Sequence, residues 1–279
     1  MASEENSNRN SLCFYAIDVL KTANAHEKAR KSREYAKIWR HSKNKDVGQN
    51  KNIPLRPARP EKPALLMPRE MPKRKKSNTP ENKAILLHAL SHIELNAIDL
   101  AWDIIVRFSN LHQSDEFSLP LQFYEDWLKV ADDEAKHFLM LSDRLKKLNC
   151  QYGDYPAHDG LWESAEKTAD SFPARLAIVP MVLEARGLDV TPNMIKMMEE
   201  QEDFETAEML TIILADEITH VRAGSDWFKY WCEYYKKDEE TYFQELVNEF
   251  FHGSLRAPFN HEDREEAGMI RDWYEPLAS

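Results

Sequence analysis

Four glutamates fall on the apolar faces of four successive predicted helices, and this placement constrains the fold more than any other feature of the chain. Around each glutamate, residues three, four and seven positions away are mostly apolar, which is the spacing of one helix face. A buried carboxylate is strongly destabilising unless it is paired or bound to a cation. The sequence therefore predicts an α-helical core that gathers and neutralises four acids: Glu94, Glu134, Glu184 and Glu217.

Two of these glutamates belong to an Asp-Glu-x-x-His pattern, in "ADDEAKHFLM" from residue 131 and "ADEITHVRAG" from residue 215. The shorter Glu-x-x-His pattern is weak by itself, because this composition produces about one by chance. A third copy at 249–252 lacks the preceding Asp, and we interpret it as accidental. The two longer patterns add His137 and His220 to the buried set.

These six side chains predict a dinuclear metal centre. No Lys or Arg lies on the same stripes, whereas four carboxylates would balance two divalent ions and each His would supply a neutral nitrogen. Carboxylate oxygens with one imidazole per metal favour iron, or manganese, over an ion that prefers thiolates. The predicted ligands are Glu94, Glu134, His137, Glu184, Glu217 and His220.

Proline, glycine and capping residues predict where the helices begin and end. Seven of the fourteen prolines fall within residues 52–80, which predicts an extended connector there. The predicted helices are Ser11–Arg40; Thr79–Ser109, capped by Thr79 with Pro80 first; Leu119–Leu148, capped by Ser118; Leu161–Arg186, bent at Pro173 and Pro180 and ended by Gly187; a shorter one from Thr191-Pro192; Phe204–Tyr235; and Glu239–Phe251.

The predicted organisation is all-α, with four segments. They are an N-terminal helix (1–50), a proline-rich basic connector packed on the body (51–80), a four-helix di-metal bundle with extra C-terminal helices (81–255) and an irregular tail (256–279).

Charge is distributed unevenly along the chain. Residues 21–76 hold 18 Lys and Arg against 5 Asp and Glu, although the whole chain has a net charge of −11. We expect this basic arm to lie on the acidic body of its own chain or of a partner subunit, with nucleic-acid binding as the alternative. The run "PKRKK" at 72–76 is interpreted as solvated charge.

The remaining composition predicts a cytoplasmic protein. Three cysteines far apart in the sequence indicate free thiols in a reducing compartment. No apolar run approaches the roughly 18–20 residues of a membrane span, and the polar start resembles neither a signal nor a transit peptide. We therefore expect no membrane partner.

Three further residues are candidates for a role in the site. His88 and His92 are four apart and could bind zinc, but they lie well round the helix from Glu94, which favours a solvent or interface role. Arg186 could hold a ligand carboxylate or meet a substrate anion, and an ordinary helix-end cation is an equal alternative.

The order of these ligands resembles the ferritin-like superfamily of di-iron carboxylate proteins. More closely, "HIELNAIDLAWD", "ADDEAKHF", "LEARGLDVTP", "ADEITHVRAG" and the proline-rich segment resemble a ferritin-like family of unknown function, and "LEAR" resembles the di-iron tRNA hydroxylases more distantly. The resemblance covers most of the chain and implies a ferritin-like bundle holding two iron ions. It also implies that Asp133 orients His220 and that Asp216 orients His137.

The predicted function is that of an O₂-activating di-iron oxidoreductase, an oxidase or monooxygenase with an unassigned small-molecule or RNA substrate. Such an enzyme would need O₂ and an electron donor, and a homo-oligomer is compatible with the sequence. The alternatives are a ferroxidase that handles iron without an organic substrate, and a non-catalytic helical interaction module.

Overall fold

The computed structural model describes residues 10–49, 52–71 and 79–278, and every regular element in these ranges is a helix. The prediction of an all-α protein is confirmed, whereas the four-helix ferritin-like arrangement remains a prediction. The chain divides into two compact units, unit 1 (Met1–Trp162) and unit 2 (Glu163–Ser279).

Unit 1 is built on two long helices that pack along one another, α3 and α4, with a shorter helix against each. Helix α1 packs on α3, and α2 packs on α4. Indole and phenyl rings fill the space between them, including Trp102, Trp127 and Phe138. The bounds are α1 Leu12–Lys21, α2 Ala25–His41, α3 Pro80–Arg107 and α4 Leu121–Lys147.

Side-chain caps explain the starts of α1, α2 and α3. The Oγ1 of Thr79 accepts a hydrogen bond from the Asn82 N–H at 3.2 Å, with Pro80 as the first helical residue, as predicted. The predicted Ser118 cap of α4 is wrong: that helix follows Pro120, which makes no side-chain cap, and the Ser118 hydroxyl instead accepts from the backbone of Gln113.

The single N-terminal helix predicted from Ser11 to Arg40 is also wrong, because the chain forms two helices there. Helix α1 ends before Thr22, whose hydroxyl donates to the Asp18 carbonyl at 2.7 Å. Asn24 then caps α2 by accepting from the Glu27 N–H at 2.9 Å. Such side chains compete with the helical backbone for hydrogen bonds, so they end one helix and start the next.

The described part of the proline-rich connector, residues 52–71 within the basic arm, lies along unit 1. Backbone hydrogen bonds join Ala58 to Leu20 at 2.7 Å and Leu66 to Ala157 at 2.8 Å. Arg56 pairs with Asp159, and Arg59 pairs with the buried Asp99. These cations of the arm are therefore matched by acids of the same chain, while the run at 72–76 lies outside the described residues.

Unit 2 contains seven α-helices in its described part, the first of which begins at the end of unit 1. Helix α8 packs against α7 and α6, while α9 packs on α6. The bounds are α5 Gly160–Lys167, α6 Phe172–Ile178, a π-helical turn Val179–Glu184, α7 Ala185–Glu200, α8 Phe204–Tyr235, α9 Glu239–Phe250, α10 His261–Glu266 and α11 Arg271–Tyr274.

Helix α8 has the bounds predicted for it, but the helix predicted from Leu161 to Arg186 is broken and extended. It is interrupted after Lys167, and Pro173 lies at the start of α6, where the missing N–H costs nothing. Gly187 does not end a helix and Thr191-Pro192 does not start one, because α7 runs through all three residues. Burial of one face of α7, through residues such as Leu188, outweighs these unfavourable local propensities.

The tail that was predicted to be irregular contains α10 and α11 and is anchored to α7. The guanidinium of Arg264 donates to both carboxylate oxygens of Asp189, at 2.8 and 2.7 Å. The same group lies over the rings of Phe259 and Tyr274. This buried ion pair stabilises ordered structure in a segment that was expected to be irregular.

One helical stretch among the described residues, Pro80–Leu111, is long and apolar enough to cross a membrane by length and composition. However, 72% of its apolar window is buried inside the protein. A core helix meets the same criteria, and α3 supplies much of the core of unit 1.

Candidate metal centre

Three predicted ligands meet in unit 1. Glu94 projects from the middle of α3, and Glu134 and His137 project from one face of α4. The Nδ1 atom of His137 lies 3.3 Å from Oε2 of Glu94 and 3.5 Å from Oε2 of Glu134. All three side chains are buried, with exposed fractions of 0% for His137 and Glu134 and 4% for Glu94.

The electrostatics of Glu94 are unfavourable for a carboxylate. Burial raises the pKa of Glu94 well above its usual value, and the nearby charge of Glu134 raises it further, while His137 opposes the rise. Its Oε2 atom is buried and accepts no hydrogen bond within the described part of the chain. Lys and Arg side chains in the same part make no ion pair with it. A buried acid in this position is what a cation would stabilise.

The distances in this cluster suit ligands of one ion. Two ligand atoms that each lie about 2.1 Å from an ion, and about 90–110° apart, are separated by about 3.0–3.4 Å. The separations of 3.3 and 3.5 Å around His137 are close to this range, and the candidate ligand atoms lie within 4.8 Å of one another. The buried Glu/His cluster could therefore hold a metal ion.

Unit 2 repeats the pattern on α8. The Nδ1 atom of His220 lies 3.6 Å from Oε2 of Glu217, which matches the 3.5 Å between His137 and Glu134. His220 is fully buried, whereas the Glu217 side chain is 12% exposed. Glu184 is the last residue of the π turn and is half-buried. The two Glu-x-x-His segments thus have the same local geometry in their separate units.

The two aspartates assigned to ligand orientation also have local contacts. Asp133 accepts from Lys129 at 2.8 Å and from Lys136 at 3.2 Å, both on its own helix. Asp216 is half-buried, and its carbonyl accepts from the Thr219 hydroxyl at 2.8 Å. Their assignment to the histidines stays a prediction.

Arg186 is directed toward the C-terminal segment of unit 2. Its guanidinium donates to the carbonyl of Arg256 at 2.7 Å and lies 3.3 Å from Asp189, with 41% of the side chain exposed. These contacts describe a cation that joins α7 to the segment before α10.

His88 and His92 are buried, so the solvent role is wrong, while the interface role stays a prediction. His92 Nδ1 lies 2.9 Å from the Tyr152 hydroxyl, and His88 Nε2 accepts from the Gly153 N–H at 2.9 Å. Burial lowers the pKa of His88 to about 4 and that of His92 to about 3, which keeps both neutral. These contacts hold the loop after α4 against α3.

The third Glu-x-x-His segment lies on the surface. Glu249 and His252 are both exposed, which agrees with its interpretation as accidental.

Sequence reasoning missed a buried charge cluster in unit 1. Asp99 is fully buried between Lys28, at 2.5 Å, and Arg59 of the arm, and Arg59 also donates to Asn96. Lys28 is 1% exposed. A signal was present, since Lys28 lies on the same helix face as the small residues Ala25 and Ser32.

These observations define an all-helical protein with a buried Glu/His cluster that could hold a metal ion. The chain belongs to the family described as "Protein of unknown function (DUF455)", whose model matches residues 21–275. A relative from Haemophilus influenzae, described as "Uncharacterized protein", is 42% identical over 217 residues, which are 77% of this chain and 75% of the relative. No solved structure matches the chain significantly.

Proposed function

We propose that this protein holds a dinuclear metal centre formed by two equivalent half-sites. One half-site is Glu94, Glu134 and His137 in unit 1, and the other is Glu184, Glu217 and His220 in unit 2. The observation that carries the proposal is the buried Glu94–Glu134–His137 cluster, in which the imidazole lies 3.3 and 3.5 Å from the two carboxylates, as ligands of one ion would. Each half-site brings two carboxylates and one imidazole, so the complete set would balance two divalent ions.

Iron is the metal that we propose, with manganese as the alternative. Both accept carboxylate oxygen and imidazole nitrogen, and neither needs the thiolates that Zn²⁺ and Cu⁺ sites often use. The three cysteines are Cys13, Cys150 and Cys232, which lie on other parts of the chain from the six proposed ligands.

We propose that the centre serves an O₂-dependent oxidase or monooxygenase with an organic substrate. When bound, a pair of ferrous ions supplies the redox chemistry that activates O₂. The residues of unit 1 would exclude water, because Glu134 and His137 have no exposed surface. Glu184 and Glu217 are more exposed, so a substrate would approach the half-site of unit 2.

Metal analysis tests the centre. The purified chain, loaded anaerobically with Fe²⁺ and desalted, should hold two ions by mass spectrometry, and Glu134→Gln should hold fewer than one. Glu249→Gln is the matched control, because Glu249 belongs to an exposed Glu-x-x-His segment. Full metal retention by Glu134→Gln would contradict the assignment.

Oxygen consumption separates the oxidase from the alternative ferroxidase. A ferroxidase would consume O₂ in proportion to added Fe²⁺ and accumulate ferric iron without an added reductant. An oxidase would need continuous reductant and would yield an oxidised organic product. An iron-filled cage detected by light scattering would favour the ferroxidase instead.

A further inference from the structure

Gly224 makes an unusually close contact in unit 2. It is buried on α8 against the π turn, and a Cβ atom placed on it would lie 2.5 Å from both Cβ and Cγ of Pro180. The next neighbour, Cγ of Met181, would lie 3.6 Å away. Gly224 lies within regular helix, so space rather than an unusual backbone conformation requires the glycine.

The surface that Gly224 meets is rigid. Pro180 has no N–H to donate, and its ring would collide with the carbonyl four residues earlier in a regular α-helix. The chain widens into a π turn there, in which the Ala185 N–H donates to the Pro180 carbonyl across five residues. A proline ring cannot rotate away from a new methyl group, so the backbone itself would have to move.

The contact lies one turn from the proposed ligands on both helices. Gly224 is four residues after His220, and Pro180 is four residues before Glu184. Because only residues 201–203 connect α7 to α8, the two helices run in opposite directions. Four residues forward from Pro180, to Glu184, and four residues back from Gly224, to His220, therefore run in the same direction. Each step covers about 6 Å along an α-helix axis.

We infer that Gly224 is a positioning residue for the half-site of Glu184, Glu217 and His220. Its missing side chain lets α8 approach the π turn closely enough to bring Glu184 to the level of His220. This inference rests on the proposed metal centre, but it concerns how unit 2 places its ligands.

The size of the contact sets the expected effect. Relieving a 2.5 Å approach to an ordinary contact of about 3.5 Å requires a shift of about 1 Å, whereas metal-ligand distances tolerate about 0.2 Å. Outer residues that aim ligands typically change metal affinity by about 10–100-fold when altered. Gly224→Ala should therefore weaken metal binding at least about 10-fold.

The experiment compares Gly224→Ala with Gly187→Ala in the full chain. Gly187 lies on α7, and a Cβ atom placed on it would have nothing within 4 Å, so it controls for the general effect of alanine on a helix. Co²⁺ titration gives the affinity and the absorption spectrum of the bound ion, and the melting temperature of the metal-free chain reports the fold. A purely structural role would lower that melting temperature and leave the Co²⁺ spectrum unchanged.

The expected result is weaker Co²⁺ binding and an altered spectrum for Gly224→Ala, with both unchanged for Gly187→Ala. Wild-type affinity and spectrum in a folded Gly224→Ala variant would overturn the inference. If the wild-type chain itself binds no Co²⁺ or Fe²⁺, the proposed metal centre fails first, and that outcome is distinct.

If Gly224→Ala does not fold, the double variant Gly224→Ala/Pro180→Gly decides. Removing the proline ring gives the new methyl group room. The inference is supported if this variant folds and its Co²⁺ affinity is within about threefold of that of Pro180→Gly alone. That result is expected when the effect of the new methyl group depends on its contact with the proline ring. It is overturned if the double variant stays unfolded or binds more weakly than that, because the loss then has another cause.

Discussion

Replacing Asp99 by alanine should strongly destabilise unit 1, because it removes the shared partner of two cations. The carboxylate has no exposed surface, and Lys28 beside it has 1%. Burial lowers the pKa of Lys28, and the charge of Asp99 opposes that fall, so the pair is strongly interdependent. Leaving one buried charge without its partner costs about 3–5 kcal/mol.

Asp132→Ala is the matched control in the same unit. Asp132 also meets two cations, Arg33 at 3.0 Å and Arg40 at 2.7 Å, but those side chains are 47% and 46% exposed. Exposed pairs contribute roughly 1 kcal/mol or less, since water solvates the cations that remain. The free energy of unfolding should therefore fall several times more for Asp99→Ala than for Asp132→Ala.

Equilibrium urea unfolding, followed by circular dichroism and by tryptophan fluorescence, measures both losses. Because the chain has two compact units, the two signals must coincide before a single free energy is assigned. The double variant Lys28→Met/Asp99→Leu should regain the part of the loss that comes from Lys28, because apolar side chains of similar size can replace a buried ion pair, whereas Arg59 still lacks its carboxylate. Equal losses for Asp99→Ala and Asp132→Ala would refute this reasoning.

Three further predictions concern other buried polar groups. Burial lowers the pKa of His88 to about 4, so unfolding takes up a proton between about pH 4 and 6.5, and stability falls as the pH falls through that window. The urea midpoint of His88→Gln should therefore depend less on pH than that of the wild type, and an unchanged dependence would contradict this prediction. Ser32→Ala removes a hydroxyl that accepts from Trp102 and donates to a backbone carbonyl of α4, both at 2.8 Å, and should cost about 1–3 kcal/mol in urea unfolding. Asp189→Ala leaves Arg264 buried without its carboxylate, so trypsin should cleave within the C-terminal segment, residues 256–279, faster than in the wild type. Equal cleavage rates would contradict the role of Asp189 in anchoring that segment.

Helix boundaries could be predicted where local chemistry and burial agree. Thr79 and Pro80 begin α3, and the long apolar stripe of α8 spans Phe204–Tyr235 as expected. The prediction failed where tertiary packing outweighs local preference. Gly187 and Pro192 normally interrupt helices, yet α7 continues through both because its neighbours bury one of its faces.

The candidate site was accessible to sequence reasoning because its chemistry is periodic. A glutamate on an apolar stripe predicts a buried acid, which agrees with Glu94 and Glu134, whereas Glu184 and Glu217 are half-buried. The partners of Asp99 were not accessible, because Lys28 and Arg59 are 71 and 40 residues away in sequence. Only the packing of the arm and α2 onto α3 brings these charges together.

The π turn that ends at Glu184 also affects the directions in which the neighbouring helices face. Each residue of an α-helix is rotated by about 100° about the helix axis from the one before it. One added residue therefore rotates all later side chains about that axis by the same angle. The wide turn takes up one extra residue, so α6 and α7 keep the directions in which their faces point, α6 toward α9 and α7 toward Arg264. Deleting one residue within Val179–Glu184 would leave the direction of Asp189 unchanged, but the turn would become α-helical and the Pro180 ring would collide with the carbonyl four residues earlier.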